Sequence, residues 1–245
     1  MPGEFTGRIL HVNLTTGGLE VEHPPESFYR KYLGGSAMGL HYILSGMQPG
    51  TDGLDPSNVL AVMDSLLTGA PIAGQSRVSV NARSPLTDGI GDSQAGGFFP
   101  AELRFAGFTG IVIRGRAAEP VYLWIHDGEA ELRPAGHLWG RMTSEVDDLL
   151  KADLGDDKIE IAQVGPAGEK LVRLAAIINM GNRANGRTGM GAVMGSKNLK
   201  AIVVRGTSRK VPLADGASLN RLARWAAAEI PKNADVAGLK QDGTA

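Results

Sequence analysis

Residues 177–205 carry the feature that most limits how this chain can fold, a glycine-rich segment with cations set among the glycines. Its glycines and cations are Gly181, Gly186, Gly189, Gly191, Gly195, Arg183, Arg187 and Lys197. Glycine allows positive φ and close approach of the backbone to a ligand, and the exposed N–H groups of such turns bind anions. Arginine adds paired donors for phosphate or for a heterocycle edge. The segment therefore predicts a loop that holds a large, phosphorylated, polar cofactor; a solvated glycine-rich surface loop is the alternative.

The composition excludes several classes of site. A net charge of −1 indicates neither a nucleic-acid partner nor an anionic membrane surface. No apolar run approaches the roughly 20 residues of a membrane helix, and no export signal is evident at the start, so we expect a cytoplasmic protein. The chain has no cysteine, which excludes disulfides, thiolate zinc sites and an iron–sulfur cluster held by this chain alone. Its five histidines are scattered and predict no metal site.

In the first half of the chain, strands dominate. Alternating apolar residues predict a hairpin over residues 7–22, and a helix over 26–46 should break at Gly34–Gly35, with Ser36 capping its second part. The remaining predictions are strands at 59–63, 77–83 and 110–114, a second glycine-rich loop at 88–97 and a short helix after Pro100. Strand 77–83 alternates core and polar residues, with an arginine at each end, Arg77 and Arg83.

In the second half, Asp127–Gly128 predicts a hairpin turn between strands 121–126 and 129–133. The other predictions are a helix at 144–154 with a Ser144–Asp147 capping box, strands at 158–164 and 171–178 with a turn between them, a strand around 202–204 and a helix at 218–230. The last fifteen residues are polar with no evident core, which indicates a linker or the start of a further segment. No short repeat is visible, and regular βαβ alternation is lacking, so we predict an α+β fold.

Generic cofactor motifs match poorly. The spacing of Gly189, Gly191 and Gly195 resembles a nicotinamide-binding pattern, but a strand follows and the acidic residue expected about twenty positions later is missing. Gly195-Ser196-Lys197 reverses the order of a P-loop. Asp88 and Asp92 could serve acid–base chemistry, although aspartate in a glycine-rich turn more often makes an Asx-turn.

Long stretches of the chain resemble the N-terminal domain of the tungsten-containing aldehyde ferredoxin oxidoreductases. They are GRILHVNLTTG, YLGGSAMG, LTGAPIAGQSR, SPLTDGIGDSQAGGFFPAELRFAGFTGIVIRG and VGPAGEKLVRLAAIINMGNRANGRTGMGAVMGSKNLKAIVVRG, in family order and spacing. The resemblance covers roughly residues 6–215. It implies an α+β unit of two β-sheets with pseudo-symmetric halves and flanking helices. On this basis residues 1–210 would be the cofactor-binding domain and 211–245 the start of a truncated helical domain.

The resemblance also implies a cofactor, a tungsten ion held by two pterin dithiolenes whose phosphates are joined through magnesium. The implied cofactor-binding positions are Arg77, Gln94, Ala95, Gly96, Gly97, Arg183, Ala184, Asn185, Gly186 and Arg187. Main-chain carbonyls of Gln94 and Ala184 would hold the magnesium. Relatives often carry asparagine at position 94, which puts the side-chain contacts of Gln94 in doubt but not the main-chain one.

The chain departs from the family pattern in its length. Family members continue well past it and bind a [4Fe–4S] cluster through cysteines in C-terminal domains, so the chain looks like a fragment, a truncated reading frame or one piece of a split enzyme. The implied reaction oxidises an aldehyde to a carboxylic acid and passes electrons to ferredoxin or an electron-transfer subunit. The sequence leaves open whether the protein forms a homo-oligomer. A benzoyl-CoA reductase subunit, a non-catalytic pterin-binding or assembly module and, more distantly, a nicotinamide enzyme are the alternatives.

Overall fold

The computed structural model describes residues 7–243, so the ends of the two expected domains, residues 1–6 and 244–245, lie outside it. The first half comprises β1 (Ile9–Asn13), β2 (Gly18–Glu22), α1 (Glu26–Tyr32), α2 (Gly35–Gly46), β3 (Leu60–Asp64), β4 (Val78–Arg83), β5 (Ile90–Ala95), α3 (Phe99–Phe105) and β6 (Gly110–Arg114). The second comprises β7 (Val121–His126), β8 (Glu129–Pro134), α4 (Thr143–Leu154), β9 (Glu160–Gln163), α5 (Pro166–Glu169), β10 (Ile177–Asn179), β11 (Arg183–Asn185), α6 (Met190–Ser196) and β12 (Leu199–Arg205). Two helices follow, α7 (Gly216–Glu229) and α8 (Ala234–Asp242).

Both halves have the same sheet topology. The strand order is β2-β1-β6-β3-β4-β5 in the first sheet and β8-β7-β12-β9-β10-β11 in the second. In each sheet one internal pair is parallel, β1 with β6 and β7 with β12, and all other pairs are antiparallel. The expected α+β fold with two sheets and pseudo-symmetric halves is confirmed.

The symmetry reveals a short repeat that the sequence does not make obvious. Residues 110–115 read GIVIRG and residues 201–206 read AIVVRG, and they form the equivalent strands β6 and β12. Ile111 of β6 pairs with Leu10 of the first hairpin, and Ile202 of β12 pairs with Leu123 of the second. All four side chains face one shared core, so the repeat has a packing origin.

The core has three layers of apolar contacts. The inner faces of both sheets share one cluster with α3 and α6, which contribute Phe99, Leu103, Met190 and Val193 among others. The outer face of the first sheet packs against α1 and α2, and the outer face of the second packs against α4. Both sheets are therefore covered by helices, and the shared inner cluster makes the two halves one folding unit.

Most local predictions are confirmed. Both hairpins, strand 110–114 and the short helix after Pro100 are present. The break in the first helical region is also present, because Gly34 has φ of +103° and its Cα lies against the main chain of Asp64 and Ser65, where a Cβ would clash. The predicted caps are wrong. Ser36 donates to Asp92 instead, and at the start of α4 the Glu145 carboxylate accepts the Met142 N–H.

Three predicted segments have a different structure. Most of the second glycine-rich loop is strand β5, because β4 supplies a full antiparallel partner. The predicted polar face of strand 77–83 is not solvated, since α2 covers Ser79 and Asn81 and both are buried. Segment 171–178 is a strand only from Ile177 onward; Leu171, Val172 and Leu174 are exposed.

The C-terminal segment is helical rather than a polar linker. Helix α7 forms as expected, with Asp215 accepting from the Ser218 N–H at its N-terminus, and α8 follows. No side chain of α7 is buried, so its apolar residues, such as Leu222 and Trp225, lie open to solvent. Across residues 7–243, none of the helices combines the length and apolarity needed to span a membrane.

Candidate functional site

The two glycine-bearing segments lie side by side, where the edges of the two sheets meet. Strands β5 and β11 are the last strands of their sheets and contact each other. The Asn185 side-chain N–H donates to the Ser93 main-chain oxygen at 2.7 Å, and the Arg187 main-chain N–H donates to Ser93 Oγ at 3.0 Å. Ser84 Oγ donates to the Thr188 oxygen at 2.8 Å. Segments almost 100 residues apart in sequence thus form a single floor.

Gln94 and Ala184 occupy equivalent positions on this floor. In the first sheet the register runs from Gly110 through Met63 and Ser79 to Gln94. In the second sheet it runs from Ala201 through Gln163 and Ile178 to Ala184. Since Gly110 and Ala201 start the two repeated strands, Gln94 and Ala184 are related by the pseudo-symmetry. Two equivalent main-chain positions suit a ligand that is itself nearly two-fold symmetric.

The predicted site residues have different exposures. Ala95 and Asn185 are buried, and Gly96 and Gly97 are half-buried. The exposed ones are Arg77, Gln94, Arg183, Ala184, Gly186 and Arg187. Arg77 directly precedes β4, whereas Arg183 is the first residue of β11 on the other half and Arg187 follows that strand. The floor therefore exposes three guanidinium groups, which favour a ligand with phosphate or other anionic groups.

Gly97 and Gly186 are glycines for different structural reasons. Gly97 has φ of +108°, and an added Cβ there would lie 2.7 Å from Asn179 Oδ1 and 2.8 Å from Met180 Sδ. Ser76 Oγ also donates to the Gly97 oxygen, so this turn is fixed from two sides. At Gly186 an added Cβ would meet nothing closer than Ala184 Cβ at 3.7 Å, so the space beside Gly186 is open. Gly97 is required by packing between the halves, whereas Gly186 leaves room for a ligand.

Other features of the glycine-rich segment serve the fold. Lys197 is fully buried, and its ammonium donates to the main-chain oxygens of Pro56, Asn58 and Gly115 at 3.1, 2.5 and 3.3 Å. Burial lowers the pKa of Lys197 to about 7. Gly191 and Gly195 lie against the main chain of residues 175–176 and 168–169, where a Cβ would clash. Lys197, Gly191 and Gly195 are thus structural, and the sequence interpretation that grouped them with the cofactor loop is wrong for them.

The two acidic candidates lie in different local structures. Asp92 is exposed in strand β5 and accepts from Ser36 Oγ at 2.7 Å, so it makes no Asx-turn. Asp88 lies in the preceding turn with φ of +57°. Within residues 7–243, no group of three histidine or acidic side chains could hold a metal ion. Any ion at this floor would need main-chain oxygens and oxygens of the ligand.

Three further residues belong to this region but were not predicted from the sequence: Ser76, Ser93 and Asn179. Ser93 accepts two bonds from the other half, and Asn179 lies beneath Gly97. Strand pairing across the whole domain brings them here, so the local sequence gives no direct signal. Alternation in IGDSQA, with small residues at every second position, was the available clue to Ser93.

Comparison with known proteins identifies the family. The pattern described as aldehyde ferredoxin oxidoreductase, N-terminal domain, matches residues 9–206, and the chain belongs to this family. It is 46% identical over 209 residues to the tungsten-containing aldehyde ferredoxin oxidoreductase of Pyrococcus furiosus, an alignment that spans 85% of this chain and 34% of that protein. It is 45% identical over 242 residues to the Pyrococcus abyssi protein of the same name, which spans 98% of this chain and 40% of that protein.

A solved structure shows the same fold. The active-site complex BamBC of benzoyl coenzyme A reductase, solved with 1,5-dienoyl-CoA, contains a chain that matches with a TM-score of 0.90 and 34% sequence identity. The match covers 94% of this chain and 35% of that one. This chain thus spans between 34% and 40% of the length of these three relatives.

Proposed function

We propose that this chain is the cofactor-cradling part of a tungsten bis-pterin oxidoreductase, one that oxidises aldehydes to carboxylic acids with ferredoxin as the electron acceptor. The observation that carries the proposal is the equivalence of Gln94 and Ala184 on the joined edges of β5 and β11. A cofactor with two pterins needs two such positions. The relatives named above, tungsten-containing aldehyde ferredoxin oxidoreductases, supply the reaction.

The residues present fit this cofactor. Arg77 on one half and Arg183 and Arg187 on the other are exposed and offer guanidinium donors to phosphates and pterin edges. Open space beside Gly186 lets a flat ring approach the main chain. Main-chain carbonyls of Gln94 and Ala184 would hold a magnesium ion, because such a hard ion prefers oxygen ligands.

In this proposal the chain binds and orients, and the bound group supplies the chemistry. When bound, the tungsten bis-pterin provides the two-electron oxidation of the substrate. The side chains of this chain set the position of the cofactor and the charge around it. Residues 7–243 contain no group of three histidine or acidic side chains that could hold a metal ion, and we assign no catalytic residue to this part of the protein.

The remaining functions belong to the part of the relatives' length that this chain does not span. We propose that residues 1–210 form the cofactor-binding domain and that 211–245 begin a helical domain, because α7 buries none of its side chains against the sheets. A [4Fe–4S] cluster, the aldehyde pocket and the ferredoxin contact would lie in that further part. We also propose a cytoplasmic location.

A benzoyl-CoA reductase subunit is the second candidate. The similarity of fold to the BamBC chain favours it, with a TM-score of 0.90. The higher sequence identity to the aldehyde enzymes, 46% against 34%, favours the first candidate. A non-catalytic pterin-binding or assembly module would share the cradle but would turn over neither substrate.

The test measures cofactor content and substrate turnover in the complete protein, assembled with its C-terminal part. Arg183→Ala should lower tungsten, measured by mass spectrometry, and extracted pterin, measured by fluorescence. Arg30→Ala is the control, since Arg30 pairs with Glu26 on α1 in the first half. Unchanged metal and pterin in Arg183→Ala would contradict the cradle.

Turnover separates the reactions. Aldehyde oxidation with a viologen acceptor supports the first candidate, benzoyl-CoA reduction supports the second, and neither supports the assembly module. The 245 residues alone should oxidise no aldehyde, because they contain no cysteine to hold the cluster. Aldehyde turnover by the isolated 245-residue chain would overturn the assignment of the catalytic groups to the part of the relatives' length that this chain does not span.

A further inference from the structure

Asn179 is a buried amide without hydrogen-bond partners. It is the last residue of β10 and only 1% exposed. Neither Oδ1 nor Nδ2 has a hydrogen-bond partner among residues 7–243. A buried amide that pairs with nothing destabilises a fold, so such groups call for a specific explanation.

The fold itself does not require an amide at this position. The equivalent residue of the first half is Val80, because Val80 pairs with Val62 as Asn179 pairs with Ala162. Val62 and Ala162 in turn pair with the repeat residues Ile111 and Ile202. Val80 is buried in the shared core. An apolar side chain therefore satisfies this position in one half, and the asparagine of the other half needs a different reason.

Asn179 lies where the two halves of the floor meet. Its Oδ1 lies 2.7 Å from where a Cβ of Gly97 would be, with Met180 Sδ and Arg183 Cγ also close to that point. In the β10–β11 hairpin, Asn179 pairs with Arg183. The amide thus lies beneath a glycine from one half and an arginine from the other, both proposed to contact the cofactor.

The main chain next to Asn179 makes one weak hydrogen bond, from the Phe98 N–H, which a stronger acceptor can replace. The Phe98 N–H donates to Met180 Sδ at 3.1 Å, and a thioether is a weak acceptor. Met180 has φ of +49°, which is uncommon for a residue other than glycine. An amide oxygen accepts more strongly than a thioether, and Asn179 Oδ1 lies against the adjoining Gly97.

We propose that Asn179 is a positioning residue of the cradle, whose amide forms its hydrogen bonds with the Gly97–Phe98 main chain and the cofactor-binding groups only when a phosphorylated pterin occupies the floor. This rests on the proposed function. The unpaired amide destabilises the empty protein, and pairing on binding strengthens retention of the cofactor. Asn179 thereby couples Gly97 and Arg183, which come from opposite halves.

The test uses the complete protein and compares two substitutions. Each introduces the residue that the other half has at the equivalent position. Asn179→Val copies Val80, and Gln163→Met copies the equivalent Met63. Gln163 is the matched control because it is also a buried amide with an unpaired oxygen, but its Nε2 donates to the Thr143 oxygen, and it is not among the residues nearest to an added Cβ on Gly97. The readouts are the melting temperature of cofactor-free protein and the pterin and tungsten retained after gel filtration.

We expect opposite effects for Asn179→Val in the two measurements. The cofactor-free protein should melt about 2–4 °C higher, because an unpaired buried amide is removed. Cofactor retention should fall about tenfold, the equivalent of one hydrogen bond to a charged group. Gln163→Met should leave retention unchanged. Should valine overpack the site, Asn179→Ala provides the same retention measurement without added volume.

The outcomes separate this inference from the proposed function. If the wild-type protein retains the cofactor and Asn179→Val and Asn179→Ala retain it equally well, the role of Asn179 is overturned, but the proposed function is not. A lower melting temperature in Asn179→Val with unchanged retention identifies a merely structural residue and also overturns it. If the wild-type protein retains neither pterin nor tungsten, the proposed function fails, and this inference fails with it.

Discussion

The side-chain amide of Asn185 donates to the main-chain oxygen of Ser93 at 2.7 Å and joins the edge strands of two sheets. Ser93 Oγ also accepts from the Arg187 N–H at 3.0 Å. Two exposed sheet edges invite unwanted strand pairing, and here each edge covers the other. The same junction builds the floor on which the cofactor is proposed to lie, so stability and binding depend on one contact.

Asn185→Ala should therefore lower both the stability of the fold and the binding of the cofactor. Loss of the donor leaves the buried oxygen of Ser93 without this partner, and we expect a loss of about 1–3 kcal/mol in the free energy of unfolding. Urea denaturation measures this loss. Asn182→Ala is the control, since Asn182 is exposed in the β10–β11 turn and should change stability by less than about 0.5 kcal/mol. Equal stability of Asn185→Ala and wild type would contradict the role of the junction.

The sequence predicts elements whose signals are local. The Asp127–Gly128 hairpin, the break at Gly34–Gly35 and the β-branched strand before Arg205 all follow from residues within a few positions of each other. Strand β5 does not, because its glycines and polar residues resemble a loop. It becomes a strand through its pairing with β4, where Asn81 Nδ2 also donates to the Gly91 oxygen at 3.2 Å. Such support comes from tertiary structure.

The site could be predicted only in outline. Glycine spacing and arginines indicate the two segments, yet the same rule wrongly includes Lys197, because a charged residue among glycines is assumed to face solvent or ligand. The partners of Lys197, at residues 56, 58 and 115, are distant in sequence, and no local pattern reveals them. Asn179 was missed for the same reason, since its importance depends on the equivalence with Val80.

Lys197→Met should destabilise the protein strongly. The ammonium serves three main-chain oxygens, of Pro56, Asn58 and Gly115, and a methionine leaves all three without this donor. We expect a loss of about 3 kcal/mol or more in the free energy of unfolding, measured in urea. Lys170→Met, at an exposed position, should change it by less than about 0.5 kcal/mol. A small effect at Lys197 would mean that water replaces the ammonium among the carbonyls.

Glu160→Gln should change how stability depends on pH. Burial raises the pKa of Glu160 from 4.5 to about 7, and the Glu102 and Asp147 carboxylates add to this shift. The folded state binds the Glu160 proton more tightly than the unfolded state does. This proton binding therefore stabilises the fold below pH 4.5, and the contribution is lost as pH rises to about 7. A neutral glutamine avoids this loss.

Melting temperatures of the two proteins across that range check the prediction. Glu160→Gln should gain stability relative to wild type as pH rises from 4.5 to about 7, with a constant difference above it. Glu129→Gln, at an exposed position of the hairpin β7–β8, is the control and should follow the wild-type curve. Parallel curves for Glu160→Gln and wild type would show that the carboxyl at 160 titrates alike in both states.

The buried pair of Lys200 and Glu169 should show strong energetic coupling. Lys200 Nζ contacts Glu169 Oε1 and donates to the Arg141 oxygen at 3.1 Å, and Glu169 Oε2 accepts the Gly140 N–H at 2.8 Å. The side chains of Lys200 and Glu169 are 0% and 4% exposed. Burial lowers the pKa of Lys200, and the Glu169 carboxylate opposes that change.

Removing one partner alone leaves an unpaired buried charge, so Lys200→Met should cost about 3–5 kcal/mol. Adding Glu169→Gln to Lys200→Met should recover a large part of that loss, because glutamine is neutral and still accepts the Gly140 N–H. A double-mutant cycle in urea measures the coupling, and the exposed pair Lys232–Glu229 should give less than about 1 kcal/mol in the same cycle. Additive effects at Lys200 and Glu169 would mean that water already solvates the carboxylate. Strong coupling would instead show that charge, as well as the close packing of Gly195 on Gly168 and Glu169, holds the glycine-rich segment against α5.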